Sequence, residues 1–313
     1  GKAAIAREEE LNLIEFPHVE LFLQKLPEFD ILIFDRYVYR EVLQSFEFER
    51  IARYVENGGA VLIAAGPEFT GNQSIARRPN LAYILPALPT GNVTEAAFLP
   101  QRSADGLKHP VTAELEASQE WGRWYRQVSA RVRDGHVLMT GKDDQPLLVV
   151  DRIEKGRIAI LLSDHIWLWA RNFDGGGPHR ELLRRLVHWL MQEPELEEEA
   201  LSAKIAPDGT MTILRRSLGD EVPPVTVIAP EGQEQTVAMK YDAPGLFSAS
   251  VMTEQQGLYR LMSSSPEGET LFAVTASGEE QIAEIGKVTT TRELIAPLTE
   301  MTGGGNYALR TLN

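Results

Sequence analysis

Three short segments carry side chains able to do chemistry together: Asp35-Arg36-Tyr37, Gly66-Pro67-Glu68-Phe69-Thr70-Gly71 and Ser163-Asp164-His165. Glu68 and His165 are a carboxylate and an imidazole, the combination used in general acid–base hydrolysis. The structural alternative is a hydrogen-bonded pair that only orders two loops, and it is the reading preferred here. Asp35 and Arg36 offer either an anion site or an internal ion pair. Asp164, His165 and His179 have metal-ligand chemistry, but their spacing is irregular and no His-x-x-x-His occurs, so no metal and no cofactor is expected. Gly175-Gly176-Gly177-Pro178 opens a helix, where backbone amides attract anions, or serves simply as a loop. Trp121, Trp124, Trp167 and Trp169 suit stacking on a sugar-like ring, and equally suit a core. The chain has no Cys, which removes disulfides, thiolate nucleophiles and Cys-ligated zinc together.

These segments need elements that bring them to one rim. The apolar run Asp30–Asp35 reads as a strand buried on both faces. A helix over Glu41–Asn57 follows, with Val42, Phe46, Phe48, Ile51, Tyr54 and Val55 at helical spacing and Gly58-Gly59 as its stop. Ala60–Ala65 is a second buried strand ending in the Gly66-Pro67 turn. Strand, helix, strand is the unit of a parallel sheet, in which ligands sit at the carboxyl ends of the strands. Asp35, Arg36, Tyr37, Gly66, Glu68, Asp164, His165 and Trp167 all fall at or just beyond such ends, and they are the candidate ligand-binding residues. Further on, Gln127–Val132 and His136–Thr140 read as strands, and 146–162 as a hairpin turning at Glu154-Lys155-Gly156. A helix after Pro178 buries Leu182, Leu183, Leu186, Val187, Trp189 and Leu190. The acidic run Glu193–Glu199 reads as a solvated face or linker.

The 313 residues suffice for two domains. A formal charge of −14 argues against nucleic acid as a partner, because phosphate neutralisation needs excess Lys and Arg. No apolar run approaches the roughly 18 residues of a membrane span. All Trp and His residues precede position 190, and from 200 the chain reads as short strands broken by Pro223-Pro224, Pro230, Pro244-Gly245 and Gly257. The tail holds Thr290-x-x-Glu293, a capping-box spacing, before a short amphipathic stretch.

The strand Ala60–Ala65 running into Gly66-Pro67-Glu68 resembles the nucleophile elbow of class I glutamine amidotransferases. The stretch Gly156–His165 with the following helix, and His109-Pro110-Val111-Thr112, are similar to the trehalose-utilisation (ThuA-like) family. The resemblance spans about residues 12–195. Its elbow cysteine is Glu68 here and its second glycine is Thr70, so the resemblance implies that glutaminase activity is lost. The chain is also similar to bacterial membrane proteins in which a cysteine-less amidotransferase-like domain precedes a β-sandwich.

Residues and resemblance together give a set of expectations. The fold is α/β: a flavodoxin-like, doubly wound, mostly parallel sheet over 1–197, then an immunoglobulin-like β-sandwich over 200–278 and a tail with a short helix over 279–313. The abrupt Gly1-Lys2 start suggests an excised soluble piece, anchored by spans outside it on the periplasmic or extracytoplasmic side. The function is a non-catalytic binding or interaction module, a pseudoenzyme, for an unknown protein partner or small ligand. The alternative is a hydrolase on a small polar or sugar-like substrate with Glu68 and His165 as acid/base pair, and a structural spacer is the third reading. A Glu68 beside Arg36 stays ionised and is useless as a general acid, whereas one buried against Phe69 and Trp167 is raised into range.

Overall fold

A computed structural model describes residues 17–40, 42–116 and 121–277. The described residues divide into two compact units: 17–200 with 215–222 and 240–247, and 201–214 with 223–239 and 248–277.

The first unit is built on a six-stranded sheet. Its strands are β1 (Leu32–Asp35) and β2 (Ala60–Ala64), then, after the two-stranded ribbon of β3 (Ala87–Thr94) and β5 (Gln127–Val132), β4 (Gln101–Arg102), β6 (His136–Thr140), β7 (Pro146–Ile153) and β8 (Gly156–Leu161). The order across the sheet is β1-β2-β8-β7-β6-β4. Strands β1, β2 and β8 run parallel, whereas β7, β6 and β4 are antiparallel to their neighbours.

This topology overturns the flavodoxin-like, doubly wound α/β expectation. The described residues hold sixteen strands in four sheets and only two helices longer than one and a half turns. A doubly wound sheet needs a covering helix after nearly every strand. Between β2 and β8 the chain instead supplies a ribbon, short strands and the β7–β8 hairpin, and a hairpin reverses direction by construction.

Two helices cover the parallel strands. Helix α1 (Ser45–Glu56) opens on a capping box formed by Gln44 and Glu47 and buries Phe48, Ile51, Ala52 and Val55. It begins later than the sequence pattern suggested, and Val42 and Phe46 lie outside its apolar stripe, 43% and 42% exposed. Asn57 caps its end and Gly58 takes φ +116°, a conformation that disfavours any side chain. Helix α2 (His179–Leu190) covers the other face with Leu182, Leu186, Trp189 and Leu190, while Leu183 and Val187 are only half-buried. Alternation along the strands feeds both cores. Val61, Ile63, Ile158 and Ile160 face the α1 side, and Ala60, Leu62, Ala159 and Leu161 face the α2 side.

Only the first half of the acidic run is solvated: Glu193 and Glu195 are exposed, and the later glutamates are drawn inward. Glu198 is buried, and it accepts hydrogen bonds from His109 Nε2 (3.2 Å), Trp189 Nε1 (2.8 Å) and Arg152. Glu197 pairs with Arg152 (2.6 Å) and Arg157 (2.5 Å), and Glu199 with Arg215. Residues 193–199 read as surface because their partners, Arg152, Arg157 and Arg215, lie on distant strands.

The remaining eight strands are β9 (Ala200–Ile205), β10 (Thr210–Arg216), β11 (Val225–Ile228), β12 (Glu234–Val237), β13 (Lys240–Ala243), β14 (Leu246–Met252), β15 (Gly257–Ser264) and β16 (Thr270–Ser277). They form two four-stranded sheets ordered β13-β14-β10-β9 and β12-β11-β15-β16. Met211, Ile213 and Ala249 from one and Val225, Val227, Val237, Tyr259 and Leu261 from the other make the core of the second unit. The helix expected in the 279–313 tail falls outside the described residues.

Candidate functional site

The parallel strands deliver their loops to one rim, as the rule for such sheets requires. Arg36 follows β1 with φ +46°, a left-handed conformation unusual for a residue with a Cβ, of the kind that costs on the order of 1–3 kcal/mol. Its amide donates to the Ala64 carbonyl at 2.9 Å, tying it to the end of β2. Its guanidinium then passes over Gly66. A Cβ there would lie 2.5 Å from Glu68 Oε2 and 2.8 Å from Arg36 Nε, so any side chain at this position would have to push the pair aside.

Arg36 grips Glu68 through two hydrogen bonds along one edge of its guanidinium, Nε to Oε2 at 3.4 Å and Nη2 to Oε1. Its Nη1 lies 3.5 Å from Asp164 Oδ2, and Arg126 Nη1 reaches the same oxygen at 3.2 Å. Arg126 Nε donates in turn to Glu95 Oε1 at 3.1 Å. Two guanidinium groups therefore flank one carboxylate. The Asp164 side chain is only 8% exposed, whereas Glu68 and Glu95 are 29% and 68% exposed. Hydrogen bonding from Arg36 holds the Glu68 carboxyl below its usual range, against a smaller push upward from burial. Glu68 is therefore ionised at neutral pH.

His165 is spoken for on one side. Its Nδ1 accepts the Tyr125 amide proton at 3.2 Å, so the neutral ring carries its proton on Nε2. That nitrogen lies 3.9 Å from Asp164 Oδ1. Partial burial lowers the imidazole pKa and outweighs the opposing charge of Asp164. The ring is thus neutral near pH 7 and has no lone pair free to take a proton. Ser163 Oγ donates to the Arg126 carbonyl at 2.6 Å and accepts from the His165 amide at 3.1 Å, which fixes the turn carrying Asp164 and His165.

Not every candidate gathers here. Asp35 ends β1 and is exposed, but Arg36 takes its hydrogen bonds to Glu68, not to its neighbour. Tyr37 turns the other way, its ring packing edge-on against Phe34 and Phe48 in the α1-side core. Phe69 is buried. Trp167 is 52% exposed, with its ring centroid 6.4 Å from that of His165. Trp124 and Trp169 are buried in mutual contact at 4.8 Å, Trp121 packs on Trp169 at 5.3 Å, and Trp169 Nε1 donates to the Gly122 carbonyl. Three of the four indoles thus fill space. In the glycine loop, the Gly176 carbonyl accepts from Gly122 at 2.6 Å and Pro178 caps α2. Among the described residues no group of three or more His, Asp or Glu side chains is placed to hold a metal ion.

Arg126 and Glu95 escaped the sequence reading. Each lies one residue beyond the ribbon's terminal pair, Thr94 with Gln127, and Val128 and Arg126 tie that end to Leu162 and Ser163. His109, singled out in sequence for its His-Pro context, is fully buried as a donor to Glu198. A separate groove of about 530 Å³ lies at the opposite, amino end of β1 and β2, lined by Leu26, Phe29, Arg50, Tyr54, Gly59 and Met191. Two of its polar side chains are engaged: Arg50 donates to the Phe22 and Leu23 carbonyls and the Tyr54 hydroxyl to that of Phe29. It has room without convergent chemistry.

Residues 15–161 match a family described as a domain of unknown function, DUF7408. No curated protein matches the chain. Among solved structures, it is similar to two cytoplasmic proteins of Salmonella typhimurium. STM3548 is 20% identical, with a TM-score of 0.45, over 54% of this chain and 74% of that one. STM1381, from strain LT2, is 19% identical, with a TM-score of 0.46, over 55% and 78%. The exo-β-1,4-mannosidase Op5Man5 of Opitutaceae bacterium strain TAV5 is 14% identical, with a TM-score of 0.29, over 54% of this chain and 24% of its own. Likenesses this distant carry no argument about activity. None of them supports the amidotransferase, pseudoenzyme or membrane-anchor descriptions, and no helix among the described residues is long and apolar enough to cross a membrane.

Proposed function

We propose that this chain is a non-catalytic binding module whose ligand site is the rim made by Arg36, Glu68, Arg126, Asp164 and His165. The observation that carries this reading is the bidentate grip of Arg36 on Glu68. A general acid must be protonated near neutrality, and a paired carboxylate below its normal range is not. The other half of the hydrolase alternative fares no better, since the His165 lone pair is committed to the Tyr125 amide. Binding asks less of the same groups: fixed donors and acceptors at a solvent-facing edge, which half-exposed Arg36 and Trp167 provide.

The test is a turnover assay. Purified protein is offered glutamine, nitrophenyl esters and nitrophenyl glycosides at pH 5–8, beside Glu68→Gln and His165→Asn. The expected result is no turnover above buffer. Turnover that disappears in both variants would overturn the reading and put the hydrolase in its place.

A further inference from the structure

We infer that the Arg36–Arg126 pair is an oxyanion site that Glu68 occupies as a built-in competitor, so the ligand recognised at this rim carries a carboxylate or phosphate group. The inference rests on the reading of this rim as a binding site.

The two arginines are held from below and capped from outside by groups of very different character. Below lies Asp164, whose Oδ2 faces both guanidinium groups while its side chain is 8% exposed. A carboxylate so enclosed has little freedom, and it fixes two like charges side by side where repulsion would otherwise part them. Outside lie Glu68 on Arg36 and Glu95 on Arg126, 29% and 68% exposed. Carboxylates at the surface exchange readily with water, and their pairs are weak. The floor is fixed and the caps are free to leave.

Glu68 shows what fits. It meets Arg36 along the Nε–Nη2 edge, the planar fork that recognises carboxylate and phosphate with two parallel hydrogen bonds. When Glu68 swings away, that edge faces solvent, and Gly66 supplies no Cβ to block it. The left-handed backbone at Arg36 aims the fork across Gly66, which a relaxed strand end would not do. The overall charge of −14 repels anions from the rest of the surface, so capture here needs local geometry.

The experiment titrates the full chain with sodium succinate and, separately, inorganic phosphate at constant ionic strength set with chloride. The readouts are calorimetry and the arginine Nε–H resonances, with Arg36 assigned by its loss in Arg36→Gln. Glu68→Gln is expected to bind one of the two probes about tenfold more tightly than wild type, with a saturating shift of the Arg36 Nε–H. Wild type should show the same shift at higher concentration, which tests the idea without relying on a variant. Succinate and phosphate arms tell a carboxylate ligand from a phosphorylated one. The double variant Arg36→Gln/Glu68→Gln should lose the gain. Equal affinities in wild type and Glu68→Gln, or a gain that survives in the double variant, overturns the inference. Either of those results leaves the absence of turnover untouched, so it is separable from failure of the binding reading.

Discussion

The chain uses one kit of side chains twice. On the rim, Glu68, Arg36, Arg126 and His165 form a partly exposed set; under α2, Glu198, Arg157 and His109 are buried, with half-exposed Arg152 reaching Glu198 from the surface. The imidazoles are even wired alike. His109 Nδ1 accepts the Val111 amide at 3.2 Å, as His165 Nδ1 accepts that of Tyr125, leaving Nε2–H facing a carboxylate in both. What differs is completion. Glu198 is satisfied by an imidazole, an indole and a guanidinium, whereas Asp164 Oδ1 has no hydrogen-bond partner. A network with every member satisfied specifies a fold, and one left partly open at the surface is where a ligand can act.

Removing a partner should therefore cost most under α2. Glu198→Ala strands buried His109 and Trp189 Nε1 and leaves Arg152 with Glu197 alone, and it should destabilise by about 3–5 kcal/mol in chemical denaturation. A loss under 1 kcal/mol would make the two regions equivalent and break the comparison. Leu186→Ala probes the packing that closes this network off. Leu186 is 1% exposed, so about 2–5 kcal/mol should be lost, against a clearly smaller effect for half-buried Leu183→Ala.

Acid should separate the histidines. Burial lowers the His109 pKa, so on acidification the unfolded chain takes up its proton first. The stability this group contributes is present above about pH 6.5, the ordinary imidazole value, and is lost as pH falls through the lower folded one. His109→Gln should flatten stability against pH in that window, and His165→Gln should do so less, because His165 is more accessible. Equal slopes in the two variants would refute the ranking.

The smallest expected effect is at the rim. Glu68 is depressed by Arg36, so its contribution is present above the ordinary carboxylate pKa and fades as pH falls through the folded value. With both side chains partly solvated, Glu68→Gln should cost under about 1 kcal/mol at pH 7. A larger loss would make this ion pair structural and remove the contrast on which its replaceability rests.

Local patterns in the sequence do settle part of this protein. Apolar runs of five residues mark β2 and β8, helical spacing and the Gly58-Gly59 stop mark α1, and a glycine turn marks the β7–β8 hairpin. Each follows from forces acting within about a dozen residues. The absence of Cys and the charge balance are likewise properties of composition alone. Sheet direction is not local. The turn at Glu154-Lys155 makes β7 antiparallel to β8, but nothing in it says that β8 and not β7 runs parallel beside β2. Nor is the fate of a charged side chain local, since Glu198 and Glu68 are equally polar in sequence. One is buried because Arg152 and His109 arrive from strands and loops 46 and 89 residues away, and the other lies on the short helical turn Pro67–Thr70 beyond the end of β2. Desolvation and pairing depend on what surrounds a group in space, and that neighbourhood exists only once the sheet has closed.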